Sequence, residues 1–256
     1  TLSHLLVFTS LGKVHWLRVF AIPDVSRIAK GKSIANLLNL QLGESIASIL
    51  SVREFEEDKF VMVATERGVV KKTSLMAYSK PRQGGVIGLT IDEGDRLIGA
   101  ELCDGESDIL LATAKGFSIR FSEKEARPIG RTGRGVRGIR LKPDDLVVGA
   151  EIVHPGNMLL TVTSNGYGKR THLEEYPVQG RGGLGVMTIR CNDKIGKVVG
   201  IEQVTDSDEL LVITSDGNIL RMKVNEISVI GRNTQGVRLV GTGGSNQVVS
   251  VEKLVE

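Results

Sequence analysis

One pattern recurs five times along the 256 residues: an apolar run, then Thr, two residues, then Gly. It is seen as Leu5-Leu6-Val7-Phe8-Thr9-Ser10-Leu11-Gly12 and again as Val61-Met62-Val63-Ala64-Thr65-Glu66-Arg67-Gly68. It returns from Ile109 to Gly116, from Leu159 to Gly166 and from Leu210 to Gly217, with Thr113, Thr163 and Thr214 in the same place. The Gly positions are roughly fifty residues apart, the signature of an array built from one supersecondary unit. Such a unit cannot bury its apolar face alone, so its neighbours must cover it.

Each unit reads as β. The apolar runs are short, rich in Val, Ile and Leu, and bounded by turn residues. Ser164-Asn165-Gly166 and Ser215-Asp216-Gly217 predict tight hairpins. A second strand follows each Gly, as in Val69-Val70-Lys71-Lys72-Thr73. A loop then ends in Gly85-Val86, Gly135-Val136, Gly185-Val186 or Gly236-Val237, opening a third strand. A fourth apolar run closes each unit, over 46–52, 96–102, 146–153, 198–204 and 247–254. Repeats over about 4–53, 58–104, 107–154, 156–205 and 207–256 predict an all-β, propeller-like ring of four-stranded blades in one uninterrupted domain. Gly31 and its β-branched neighbours argue against a helix over 25–40.

The net charge is only +3, from 33 Lys+Arg against 30 Asp+Glu, but its distribution is uneven. Four residues after the hairpin Gly stand Trp16, Lys72, Arg120, Arg170 and Arg221, so four repeats carry a cation in an equivalent place. The loops before the third strand add Arg27, Lys30, Lys32, Lys80, Arg82, Arg127, Arg131, Arg134, Arg137, Arg140, Arg181, Arg232 and Arg238. From Arg127 to Lys142 there are six positive charges and no acid. Acids gather in other turns, among them Asp92, Asp95, Asp104, Asp144, Asp145, Asp206 and Asp208. A single basic loop is as readily a solvated face as a binding site. A positive band in register with a repeat matches phosphate-driven binding of duplex nucleic acid. Few aromatics lie in these loops, which disfavours stacking on single strands.

The loop Gln179-Gly180-Arg181-Gly182-Gly183-Leu184-Gly185 is the densest in Gly. Taken alone it is a surface turn or a loop that admits a phosphate to its backbone and its Arg. No catalytic constellation accompanies it. His4, His15, His154 and His172 have no metal or triad spacing, and Gly31-Lys32-Ser33 lacks the upstream Gly of a P-loop. Cys103 and Cys191 match no metal or redox spacing and suit a reducing compartment. No apolar run is long enough to form a membrane-spanning helix.

The repeats resemble the C-terminal domain found in the A subunits of bacterial DNA gyrases and, more distantly, its topoisomerase IV counterpart. The resemblance is carried by Val70-Lys71-Lys72-Thr73, Gly135-Val136-Arg137-Gly138-Ile139-Arg140-Leu141, Asn165-Gly166-Tyr167-Gly168-Lys169-Arg170-Thr171 and Ile230-Gly231-Arg232-Asn233-Thr234-Gln235-Gly236-Val237. It implies a β-pinwheel, in which neighbouring repeats share strands, with six repeats the norm against five here. It implies duplex DNA wrapped with positive handedness around a basic outer rim. It further implies membership of an ATP-dependent type II topoisomerase that introduces negative supercoils. The partners would be the gyrase B subunit together with the rest of the gyrase A subunit. Those other parts would hold ATP and Mg, with no cofactor, metal or catalytic residue in this chain. The isolated domain would be a monomer, and the setting the bacterial cytoplasm, at the nucleoid.

The candidate DNA-binding residues are Lys72, Arg82, Arg120, Arg131, Arg134, Arg137, Arg140, Lys169, Arg170, Gln179, Arg181, Gly182, Gly183, Arg221 and Arg232. The family's signature box, Gln-Arg-Arg-Gly-Gly-Lys-Gly, lies in the first of the six repeats. Thr1 to Phe8 resembles the junction after that repeat, so the box-bearing repeat is expected to be missing and the chain to be a fragment. Gln179 to Gly185 is a variant of the box with Gly180 in place of Arg and Leu184 in place of Lys. The alternatives are a topoisomerase IV-type domain that bends DNA for decatenation and a propeller-like protein-interaction scaffold.

Overall fold

A computed structural model describes residues 3–22, 33–38, 40–243 and 246–254. Arg27, Lys30 and Lys32 fall outside them, as does the whole of 25–32. Within 33–38 the chain forms only the short 3-10 turn Ile34–Asn36.

The Thr-x-x-Gly pattern has a single structural meaning in all five repeats. The first strands are His4–Thr9, Phe60–Thr65, Asp108–Thr113, Met158–Thr163 and Glu209–Thr214, each ending on the Thr. The Gly three residues on donates its N–H to the Thr carbonyl at 2.9–3.0 Å. Its φ lies between 78° and 85° in every repeat, a left-handed conformation that favours Gly. The Thr hydroxyl stitches the turn. It accepts from Lys13, Val69 and Phe117 N–H at 3.2 Å in three repeats, and donates to the Tyr167 and Asn218 carbonyls in the other two. In four repeats the loop between paired strands is three residues, not two, which is the hairpin class with a left-handed residue at its end. Opposite each Thr the closing strand bulges by one residue.

The molecule divides into two compact units, Thr1–Glu106 with Ala126–Val136, and Ser107–Glu125 with Arg137–Glu256. The sequence carries no boundary between them, because the same repeat runs through both. In the first unit one sheet has the order Ile46–Val52, His4–Thr9, Lys13–Arg18, Val86–Ile87. The next has the order Leu97–Cys103, Phe60–Thr65, Val69–Ser74, Val136–Arg137. The second unit repeats the scheme with Val147–Ile152, Asp108–Thr113, Phe117–Ser122, Val186–Met187, and with Val198–Val204, Met158–Thr163, Tyr167–His172, Val237–Arg238. The third strand therefore completes the sheet of the preceding repeat, not of its own. It is only two residues long. The last sheet, Val248–Leu254, Glu209–Thr214, Ile219–Lys223, has three strands among the described residues.

Apolar cores form where successive sheets face each other. In the first unit Leu6, Phe8, Val14, Val61, Val63, Leu75, Tyr78 and Leu97 pack together. In the second, Leu159 faces one core with Leu110 and Ile201, while its neighbours Leu160 and Val162 face the next with Leu210 and Val248. The first strands are thus buried on both faces, which is why they read as continuous apolar runs and not as alternating ones.

Against those cores the closing strands carry acids. Glu101, Glu151, Glu202 and Glu252 occupy equivalent positions, each opposite the residue six before the hairpin Gly. In the second unit, burial pushes the Glu202 carboxyl up to about 8, helped by the charges of Glu151 and Glu252 and opposed by Lys253. Burial likewise pushes Glu151 up to about 6, although Gln203 Nε2 donates to its Oε2 at 3.0 Å.

Candidate nucleic-acid interface

The equivalence expected of Lys72, Arg120, Arg170 and Arg221 is present, but Lys72, Arg120 and Arg170 turn their charges to the protein, and only Arg221 of the four stays exposed. Lys72 is 4% exposed, with its Nζ over the Phe60 ring at 5.2 Å from the centroid. Arg120 Nε donates to Asp108 Oδ2 at 2.9 Å and its Nη1 to the Leu173 carbonyl. Arg170 is 5% exposed, held by Asp206 and by the Ile227 carbonyl. Arg221 pairs with Glu209. Arg120 and Arg221 reach back to the first residue of their own first strand, and Arg170 to the turn that leads into the next. Lys169, also expected to reach DNA, is fully buried. The geometry thus removes Lys72, Lys169 and Arg170 from the accessible surface.

The surface set comes from a different register, counted from the Gly that opens the third strand. Four residues before that Gly stand Arg131, Arg181 and Arg232, with Pro81 in the remaining repeat. Their Nη1 atoms donate to the carbonyls of Ile87, Arg137 and Met187, at 3.5, 2.5 and 3.0 Å. Those three carbonyls are themselves equivalent, each ending the donated strand of the preceding repeat. One arm of each guanidinium is anchored on main chain. Arg181 and Arg232 are further fixed through their own N–H groups, which donate to Glu125 and Glu175. Arg181 and Arg232 have a buried Nε with no protein acceptor.

Two more positions extend the band. Two residues after the Gly are Arg137 and Arg238, both exposed; five after it are Arg140 and Arg190, also exposed. Arg140 and Arg190 N–H groups donate to Gly183 and Thr234 carbonyls at 2.8 Å, so each loop packs on the loop of the following repeat. Arg82 and Arg134 are exposed as well, the latter 3.2 Å from Asp92. Sequence reading missed Arg190. Counting from the loop Gly would have found it.

The Gly-rich loop is docked, not free. Gln179 N–H donates to the Arg120 carbonyl and Gly182 N–H to the Gly138 carbonyl, at 2.8 and 2.7 Å. Gly182 has φ of 81° and Gly185 of 73°. A Cβ on Gly185 would stand 2.1 Å from the Ser118 carbonyl oxygen, so only Gly lets this loop close against the neighbouring hairpin. Gly183 remains partly exposed beside it.

Among the described residues no group of three or more His, Cys, Asp or Glu is arranged to hold a metal. None of the helices among them is long and apolar enough to cross a membrane.

Comparison with known proteins agrees with this layout. The family model "DNA gyrase C-terminal domain, beta-propeller" matches five times, over residues 3–53, 59–104, 107–154, 157–205 and 208–254. The DNA gyrase A subunit of Salmonella typhimurium is 45% identical over 98% of this chain and 29% of its own length. That of Escherichia coli is 42% identical over 100% of this chain and 29% of its own length. The chain thus spans under a third of these relatives. Among solved structures, the C-terminal domain of DNA topoisomerase IV aligns with a TM-score of 0.91 at 26% identity, covering 99% of this chain and 79% of that one. The DNA gyrase A C-terminal domain aligns at 0.86 and 25% identity, covering 100% and 83%. With five matches spanning nearly all of its length, the chain belongs to the DNA gyrase C-terminal domain family.

Proposed function

We propose that this chain binds duplex DNA without strong sequence preference and wraps it with positive handedness along its repeated arginine loops. The observation that carries the reading is the Arg at the same loop position in three successive repeats, anchored through one Nη on an equivalent carbonyl. Anchoring lowers the rotamer entropy lost on binding and leaves the other Nη of the fork for phosphate. Such contacts position a duplex and carry no base code. Arg82, Arg134, Arg137, Arg140, Arg190 and Arg238 broaden the band, and Gly182 and Gly183 admit close backbone approach. The wrapped DNA would serve an ATP-dependent type II topoisomerase made with a gyrase B subunit together with the rest of a gyrase A subunit. Those parts hold ATP and Mg, and the setting is the bacterial nucleoid.

The test is ligation of nicked circular DNA in the presence of the domain, then measurement of the linking-number change. A positive shift that is lost when Arg131, Arg181 and Arg232 are replaced together by Ala supports the reading. Binding without any shift would favour the bending role of a topoisomerase IV-type domain, a second reading favoured by the TM-score of 0.91. No affinity for duplex at low salt would leave a protein-interaction scaffold.

A further inference from the structure

We propose that Lys71 and Lys169 are positioning residues for DNA binding: buried beneath two of the arginine loops, each holds its loop in the shape that meets the duplex. The inference rests on the DNA-binding reading above. The two lysines stand three residues after the hairpin Gly in the second and fourth repeats, and both are 0% exposed. Lys71 Nζ donates to the carbonyls of Gly88, Gly130 and Arg131 at 2.5, 3.2 and 2.5 Å. Lys169 Nζ donates to the carbonyls of Gly231 and Arg232 at 2.5 and 2.6 Å and to Thr234 Oγ1 at 3.1 Å. An ammonium has three protons, and in both sites all three are used: at Lys169 all on the loop, at Lys71 two on the loop and one on Gly88.

The other repeats show that a lysine is not needed to build the hairpin. The equivalent residues are His15, Ile119 and Leu220. Ile119 lies under the Gly-rich loop, its Cδ1 within 3.6 Å of where a Gly183 Cβ would stand. An apolar side chain therefore supports a loop of this kind, and does so without the cost of burying a charge. A lysine retained at 0% exposure does something an Ile cannot. It draws two or three carbonyl dipoles inward, which turns the N–H groups and the Arg131 and Arg232 side chains the other way. Its charge also lies in low dielectric just under the loop, where it adds to the positive potential felt by an approaching phosphate.

The charged group facing Lys71 is Arg131, and those facing Lys169 are Glu175 and Arg232. Burial foremost holds each ammonium down to about 8. Above that pH the neutral amine donates two hydrogens, and one loop oxygen loses its partner.

The test uses Lys71→Met with Lys169→Met, which keep length and remove charge. Three readings are taken: duplex affinity at low salt, thermal stability, and amide exchange at Gly133 and Thr234 in the two loops. The expected result is affinity per folded molecule lowered about tenfold and exchange at both amides faster, with a lowered melting temperature because the loop carbonyls lose their donors. A purely structural lysine would also lower the melting temperature but leave binding per folded molecule unchanged, which would overturn the proposal. So would affinity within twofold of the unaltered chain with both amides still protected. Should the double variant not fold, the unaltered chain decides. Its duplex affinity, at fixed ionic strength, should fall several-fold between pH 7 and pH 9 while its circular dichroism stays constant; a flat profile would refute the clamp. If the unaltered chain binds no duplex at all, the DNA reading falls, and the loop exchange of the variant then tests the clamp alone.

Discussion

Glu202→Gln tests whether the acids on the closing strands oppose one another in the native state. The Glu202 carboxyl is raised from 4.5 to about 8 by burial and by Glu151 and Glu252. Between those values the native state keeps a proton that the unfolded chain has released, so stability falls as pH rises through this window. At about 1.4 kcal/mol per unit, the full shift corresponds to about 5 kcal/mol by pH 9. Gln removes that charge, but its buried amide must be partnered at a cost of about 1–3 kcal/mol, so we expect a net recovery of at least about 2 kcal/mol. That converts to a rise in melting temperature of about 4–8 °C at pH 9 for a domain of this size. At pH 5, where Glu202 is protonated in the native state, the variant should show no gain and at most that amide cost. The assay is thermal unfolding by circular dichroism at intervals from pH 5 to pH 9. If the unaltered chain and the variant show parallel profiles over the whole range, Glu202 does not hold a proton in the native state.

Gly185→Ala forces a Cβ to within 2.1 Å of the Ser118 oxygen at a φ of 73°, and should lower stability by about 2–4 kcal/mol, seen as a lowered denaturant midpoint. Asp145→Ala leaves the N–H groups of Lys115 and Leu146 without their shared acceptor and should cost about 1–3 kcal/mol in the same assay, with duplex affinity per folded molecule unchanged. Arg137→Ala should leave stability within about 0.5 kcal/mol and lower the slope of log affinity against log salt by about 0.9, since its exposed side chain would be a phosphate contact. Arg170→Ala should do the reverse, destabilising by about 2–4 kcal/mol because Asp206 and the Ile227 carbonyl lose their donor, with the salt slope unchanged in titrations on duplex DNA.

Much of the fold is legible in the sequence because one turn is repeated five times with the same chemistry. Thr9, Thr65, Thr113, Thr163 and Thr214 each mark the end of a strand, and the Gly three residues later marks the hairpin. The closing strands fall within a residue or two of their expected limits, since their apolar runs have turn residues on both sides. The destination of the third strand was visible only through family resemblance. Val86 pairs with Val14, and Val237 with Gly168, over two residues each, too short a run for periodicity to say which sheet receives it. The candidate interface was legible as a zone of charge but not residue by residue. Spacing reveals that Lys72, Arg120, Arg170 and Arg221 are equivalent. It does not reveal that Phe60, Asp108, Asp206 and Glu209 lie within their reach. Sequence reading places Lys169 at the surface and assigns Lys71 no role; only the inward carbonyls of two loops explain why both are buried.

Strand donation has a consequence for the order in which the protein can be made. The sheet that opens with His4 is not finished until Val86 and Ile87 have left the ribosome. The same delay follows for the next three repeats, so each new hairpin waits with its Lys13–Arg18-type edge uncovered. At synthesis rates of about 5–20 residues per second, the roughly sixty-five residues between a hairpin and its donor strand keep that edge open for roughly 3–13 s. An open edge is a template for wrong pairing, and every repeat here offers an almost identical one. Between neighbouring polysomal chains the correct donor is distinguished from its copies mainly by being tethered close by. Slowing translation between one Thr-x-x-Gly and the next should therefore raise the yield of strand-exchanged oligomers in step with the length of the pause.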